Sequence, residues 1–174
     1  MKDTGMVRRV DGLGRIVIPK EIRKVLKIKE NEQVEINVDD DSIVLKRYSE
    51  LDKYDVSLTN LIDCIKEVYN LDILLTNLNS FVLTSNSYKD FLGLEISPYL
   101  NNILEKRKEV YEHIPIVLSL NENKEDIKVS YIIKTVIKNG DIVGLLILLQ
   151  DGNLENNDLK VLELLNKFLD KYLE

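Results

Sequence analysis

Apolar and polar positions alternate most cleanly just after residue 33, where Val34, Ile36 and Val38 are interleaved with Gln33, Glu35 and Asn37. A period of two is that of a strand with one face turned to a core. Asp39-Asp40-Asp41-Ser42 follows as a polar turn, and Ile43–Tyr48 reads as the returning strand. Upstream, Met6–Val10 and Arg15–Ile18 are short β-rich runs on either side of Asp11-Gly12-Leu13-Gly14, a turn with two glycines able to take positive φ. Pro19 then stands where the first turn of a helix accepts a residue without an N–H. At about 100° per residue, Ile22, Val25 and Leu26 share one arc of that helix. Lys20, Arg23, Lys24 and Lys27 share the opposite arc.

Beyond residue 50 the pattern changes. Leu51, Tyr54, Leu58, Leu61, Ile65 and Val68 recur at alternating spacings of three and four, an a/d seam widened by Ile62 and Tyr69. The seam is short for an independent coiled coil, so it packs either on its own domain's sheet or on another chain's copy of the same helix. Cys64 lies beside it and is expected to be a small core residue. Ile73–Thr76 and Phe81–Thr84 read as a hairpin around Asn77-Leu78-Asn79-Ser80. Residues 87–109 form a helical or mixed stretch broken near Gly93 and Pro98. Three strands follow, at about Ile114–Leu120, Lys128–Lys138 and Ile142–Leu149, and Asn139-Gly140 is a type I′ hairpin signal between the last two. An amphipathic helix, Leu159–Leu173, closes the chain with Leu162, Leu165, Phe168, Leu169 and Tyr172 as apolar positions. No Pro/Gly-rich linker separates the halves; the junction falls at Glu50–Lys53, giving an α+β chain of two domains, 1–50 and 51–174.

Composition bounds what these domains can be. With 44% hydrophobic and 31% charged residues among 174, the chain can bury a core beneath a charged surface. It has no run of about 18 apolar residues to cross a membrane, and its N-terminus lacks the apolar region of a signal peptide. Cys64 is the single cysteine, so no intramolecular disulfide forms and the cytoplasm is the expected compartment. Charge is segregated. Residues 1–29 hold nine Lys/Arg against three Asp/Glu, a net of +6, inside a chain whose total is −6, so the remainder carries −12. Such an acidic bulk repels a polyanion everywhere except at the basic end. Fifty residues of short strands bury too little apolar area to stand alone. With neither disulfide nor metal ligands, a second chain must complete the core, and an obligate dimer is expected.

The chemistry-bearing residues argue against catalysis. There is no Ser/His/Asp arrangement, metal-ligand cluster or phosphate loop, and one cysteine cannot form a catalytic pair. No cofactor, no metal and no enzyme activity are therefore expected. The acidic triplet Asp39–Asp41 reads as a solvated hairpin tip and His113, the sole histidine, as a loop or strand-edge residue. Tyr99 and Tyr131 read as packing residues that are also able to line a pocket. The cations carry the functional signal: Arg8, Arg9, Arg15, Lys20, Arg23 and Lys24 crowd one short segment, and arginines and lysines so placed neutralise phosphates and release counterions.

The run TGMVRRVDGLGRIVIPKEIRKVLKI, followed by an alternating strand hairpin, resembles the AbrB family of bacterial transition-state regulators. It carries the spacing G-x-V-R-x-V-D-x-x-G-R-I-x-I-P-x-E-I-R. That resemblance implies a swapped-hairpin fold in which two chains interleave their strands into one β-barrel and set paired basic surfaces on double-stranded DNA. It also implies that Arg8, Arg9, Arg15, Arg23 and Lys24 are DNA-contacting positions; Lys20 joins them from the cationic arc of the helix. Lys24 supplies a point charge where arginine would supply a bidentate fork. Degenerate recognition dominated by DNA shape is expected.

The second half resembles a GAF domain in element order: helix, two strands, helices, three strands, helix. GAF domains bind small molecules between the sheet and the variable helices, here residues 85–112, and an unidentified small-molecule ligand is an expectation of the resemblance. The Asn-Lys-x-Asp-Glu motif of cyclic-nucleotide-binding members is missing, and Cys64 is poorly placed as a bilin anchor. An AbrB-like head on a GAF-like tail is similar to regulators of spore development in endospore-forming bacteria. This implies a homotetramer, a dimer of swapped-hairpin dimers bundled through the terminal helices of the GAF-like domain. The alternative is a swapped-hairpin antitoxin that represses its own operator.

Overall fold

The structure is a computed structural model that describes residues 5–26, 28, 34–47 and 56–172. It divides into two units, Met1–Tyr48 and Ser49–Glu174. Lys27, Gln33, Tyr48, the junction Glu50–Lys53, the seam positions Leu51 and Tyr54, and Leu173 lie outside the described residues.

In the first unit Pro19, at φ −56° and ψ 147°, precedes a six-residue helix, α1 (Lys20–Val25). The antiparallel pair β1 (Val34–Asp39) and β2 (Ser42–Arg47) sets Val38 opposite Ile43 and Ile36 opposite Leu45. Its tip turns through Asp40 at φ +47°, where the Ser42 hydroxyl donates to the Asp39 carbonyl at 2.8 Å. All three acids of the tip are exposed, as expected of a solvated turn. Met6–Val10 and Arg15–Ile18 differ from expectation: neither is a strand in the single chain. A strand exists only by pairing, and among the described residues β1 and β2 form a sheet of two with no further member. A lone hairpin of this kind is marginal in water. The apolar side chains it should bury are open: Val38 is 79% exposed, Ile36 67% and Ile43 64%. Among the described residues, every buried apolar side chain lies at or beyond Leu58.

The second unit supplies its own core. Its five-stranded antiparallel sheet runs β4-β3-β7-β6-β5, with β3 (Asp72–Thr76), β4 (Phe81–Thr84), β5 (Val110–Leu118), β6 (Ile127–Lys138) and β7 (Asp141–Gln150). Helices α2 (Val56–Tyr69) and α4 (Asn156–Tyr172) cover one face. A 3₁₀ helix, Asn86–Phe91, and α3 (Pro98–Lys106) cover the other. Alternate residues of β7 enter opposite cores: Leu146 and Leu148 pack with Leu58, Ile62, Leu162 and Leu165, whereas Leu145, Ile147 and Leu149 pack with Phe81, Leu100 and Ile103. Burial on both faces is why this strand reads as an unbroken apolar run. The element order is the one that the GAF resemblance implies, and the fold class is α+β.

Boundaries shift where local chemistry intervenes. Strand β5 starts four residues ahead of its expected position because a bulge between Glu112 and Ile116 accommodates Pro115 on this edge strand. Helix α4 starts at Asn156 because the Asp158 carboxylate accepts the Glu155 N–H at 2.7 Å. Cys64 corrects the sequence reading: it is exposed. The buried stripe of α2 is Leu58, Ile62 and Ile65, and Cys64 stands about 100° or more from each. The a/d seam thus overruns the core at its C-terminal end, leaving Val68 72% exposed. Asn139 and Gly140 take φ +51° and +86°, the two left-handed residues that a type I′ turn requires.

Two substitutions check this description. Leu148→Ala should lower unfolding stability by about 3 kcal/mol in a denaturant titration, since Leu148 is fully buried between α2, α4 and the sheet. Gly140→Ala should cost about 1–2 kcal/mol through backbone strain alone, because nothing lies within 4 Å of the added methyl. The same change at Gly152, which meets no neighbour and has no positive φ, should leave the midpoint unchanged or raised.

Candidate nucleic-acid interface

The glycine loop between the two β-rich runs is closed by one side chain. The Asp11 N–H donates to the Arg15 carbonyl and the Gly14 N–H to the Asp11 carbonyl, each at 3.0 Å. Gly14 turns the chain at φ +76°. Within that turn Asp11 Oδ1 accepts the N–H groups of Leu13 and Arg15, both at 2.9 Å, and Oδ2 accepts Arg15 Nε–H at 2.8 Å. The backbone N–H of Arg15, then its guanidinium and the Leu13 N–H, hold the Asp11 carboxyl below the usual carboxylate range. A depressed folded-state value means that this closure is complete above the ordinary carboxylate pKa and is lost as pH falls through the lowered one. The Arg15 and Asp11 side chains are 72% and 43% exposed, so the pair orients the guanidinium more than it stabilises the fold. It uses one of the five N–H donors of the arginine.

The other five candidate positions are described and all are exposed. Arg8 and Arg9 precede the loop, and the Arg8 guanidinium donates to the Val7 carbonyl at 3.0 Å. Lys20, Arg23 and Lys24 lie on α1, whose opposite side keeps Ile22 half-buried and leaves Val25 and Leu26 open. Arg23 N–H donates to the Pro19 carbonyl at 2.9 Å and Ile28 N–H to the Arg23 carbonyl at 2.8 Å, fixing both ends of this short helix. The arrangement is one exposed segment of clustered cations with two acids built into it, Asp11 in the loop and Glu21 in the first turn of α1. The sequence reading did not single out the bond of Asp11 to Arg15, although an aspartate heading a Gly-x-Gly loop with arginine four residues on was a visible signal.

In the second unit the region expected to admit a ligand is closely filled. Helix α3 is capped by Ser97, whose Oγ accepts the Leu100 N–H at 3.3 Å and donates to the Ser119 carbonyl at 2.7 Å. The Tyr99 and Tyr131 hydroxyls meet at 2.9 Å and tie α3 to β6. Burial, then the hydrogen bond shared with Tyr99, pushes the Tyr131 hydroxyl pKa up. Beneath them Phe81, Phe91, Leu100, Ile103 and Ile147 occupy the space between helix and sheet. An open cleft beside the 3₁₀ helix is lined by Ser87, Tyr88, Asp90, Phe91, Lys124 and Ile127. Tyr88 is pushed up to about 12 by burial and by the charges of Asp72 and Asp151. His113 lies exposed on edge strand β5, where its carbonyl accepts the Leu154 N–H at 3.0 Å.

Comparison with known proteins assigns the two halves separately. Residues 7–52 match the family described as antidote-toxin recognition MazE, bacterial antitoxin. Residues 50–174 match the family described as stage V sporulation protein T C-terminal, transcription factor. Over 177 aligned residues the chain is 32% identical to stage V sporulation protein T of Bacillus subtilis (strain 168), covering 100% of this chain and 99% of that protein. The transition state regulatory protein AbrB of the same organism is 58% identical over 48 residues, 28% of this chain and 50% of that protein. The solution structure of the AbrB N-terminal DNA recognition domain aligns over 28% of this chain and 92% of its own, at 57% identity and a TM-score of 0.25. With its full length matched and an AbrB-type head before the matching C-terminal half, the chain belongs to the stage V sporulation protein T family of transcription regulators.

Proposed function

We propose that this protein regulates sporulation genes by binding double-stranded DNA through paired basic surfaces of an intertwined head dimer. In this reading Arg8, Arg9, Arg15, Lys20, Arg23 and Lys24 of two chains face the phosphates together. The observation that carries it is the segment of exposed cations in a unit whose apolar side chains are themselves uncovered. Burying Ile36, Val38 and Ile43 against a second chain completes a core and doubles the number of phosphate contacts in one step. Domains 1–50 and 51–174 then divide the labour: the head holds DNA, and the GAF-like half joins two dimers into a tetramer. Two linked heads raise the effective concentration at neighbouring sites. The protein is taken to be cytoplasmic and non-catalytic; no helix among the described residues is long and apolar enough to cross a membrane.

A small-molecule signal, in this reading, enters beside the 3₁₀ helix at Tyr88 and Phe91, since the space under α3 is already occupied. It acts only by favouring one arrangement of the assembly over another. The match of the head to an antitoxin family favours a second reading, an antitoxin that represses its own operator. The well-packed C-terminal half and its match to a transcription-factor family support the regulator, and co-purification with a small toxin would reverse that preference.

Arg15→Ala and Arg23→Ala should each weaken DNA binding about tenfold and lower the slope of log affinity against log salt by about one per altered phosphate contact, with the unfolding midpoint unchanged. Wild-type affinity in both variants removes the site assignment. Removal of residues 54–174 should leave a head that binds a duplex carrying two sites at least tenfold more weakly than the full chain, a gain in avidity of about 10²–10⁴ being usual for linked modules. Equal affinity of the two proteins rules out joining of heads as the source of tight binding.

A further inference from the structure

Two acids, Asp11 and Glu21, sit inside the cationic segment, and of these Asp11 grips an arginine, a costly placement if the segment only attracts DNA. Asp11 lies between Arg9 and Arg15, is solvent-facing, and stays ionised at neutral pH. As a charge it repels phosphates, and electrostatics alone would favour an uncharged residue there. Its two oxygens have separate tasks. Oδ1 accepts the backbone N–H groups of Leu13 and Arg15 and so closes the loop, work that an asparagine carbonyl performs equally well. Oδ2 grips Arg15 Nε–H, and there an asparagine nitrogen, being a donor, fails. Loop closure thus explains the acceptor but not the negative charge; holding the guanidinium explains both. With Nε engaged, the plane of the Arg15 fork is set by the loop and the remaining N–H donors are presented in fixed directions.

We propose that Asp11 is a positioning residue that orients the Arg15 guanidinium for contacts distinguishing one DNA sequence from another, lowering general affinity while raising discrimination. The proposal rests on the DNA-binding reading of this segment and adds to it the origin of selectivity. An unrestrained arginine pairs with any phosphate within reach. A restrained one is satisfied only where a base edge or a narrowed groove lies along its fork.

The test uses the full chain and two duplexes of equal length and composition, one selected from a random pool by the wild-type protein and the other its scrambled counterpart. Asp11→Asn should bind the selected duplex about tenfold more weakly, and the scrambled duplex equally or more tightly, with the unfolding midpoint unchanged. In an Arg15→Ala background the same change should add no further loss on the selected duplex, since the two side chains act as one unit. Tighter binding of both duplexes by a common factor means that Asp11 acts as a bare charge and overturns the proposal. So does unchanged binding of both, or equal weakening of both with a lowered midpoint, the mark of a purely structural residue. Arg23→Ala separates the two levels. If it weakens binding while Asp11→Asn changes nothing, positioning fails and DNA binding stands; if Arg15→Ala and Arg23→Ala both leave both duplexes unaffected, the DNA-binding assignment fails and takes this proposal with it.

Discussion

The constraint on which the rest depends is a shortage of partners for apolar side chains in the first fifty residues. The hairpin β1–β2 places Ile36, Val38, Ile43 and Leu45 in cross-strand pairs, and all four stand in solvent. Val7, Val17 and Val25 do the same in the loop segment and on α1. A hydrophobic side chain removed from water contributes about 1.5–3 kcal/mol, so a cluster this size is a large driving force with no outlet among the described residues of this unit. Edge strands left open on both sides of a two-stranded sheet add a second demand, for hydrogen-bond partners. The proposed interleaving with a second chain would answer both demands and would bring two sets of cations onto one body as a consequence of folding.

The second unit obeys the opposite logic. Its central strand β7 is sandwiched by helices on both faces, so Leu145 through Leu149 are buried without exception. The sheet stands between two separate apolar cores, and the small polar residues it buries are largely answered internally. Ser85 exchanges hydrogen bonds with the backbone of Ile73, and Thr76 Oγ1 accepts the Leu145 N–H. Self-sufficiency here and insufficiency in the head fit a division in which one half anchors an assembly and the other works only when paired. The charge distribution fits the same division: an acidic bulk carries a basic segment and discourages nucleic acid from binding elsewhere.

Much of this was legible in the residues because the signals were local. Asn139-Gly140 fixed a hairpin that appears with both residues at positive φ, and Pro19 marked the start of α1. The alternation of Val34, Ile36 and Val38 located β1. The failures have one kind of cause, a tertiary partner that local pattern does not reveal. Of the seam read from spacing, Leu58, Ile65 and the widening Ile62 are buried and Leu61 packs beside them, but the sheet does not reach Val68, and Cys64 faces solvent instead of the core. Pro115 disguised the true start of β5, since an edge strand tolerates a proline that an inner strand would reject. Met6–Val10 and Arg15–Ile18 have the composition of strands but pair with no strand among the described residues. In the candidate interface the cations were plain from sequence. The grip of Asp11 on Arg15 was not, because charge counting does not tell which acid among bases meets which arginine.

The most direct test of this account is the thermal unfolding of residues 1–53 as a function of protein concentration, with molar mass measured on the same samples by light scattering. The account predicts a mass of two chains and a midpoint that climbs with concentration, because folding and association are then a single equilibrium. A cooperatively folded single chain whose midpoint ignores concentration would contradict it.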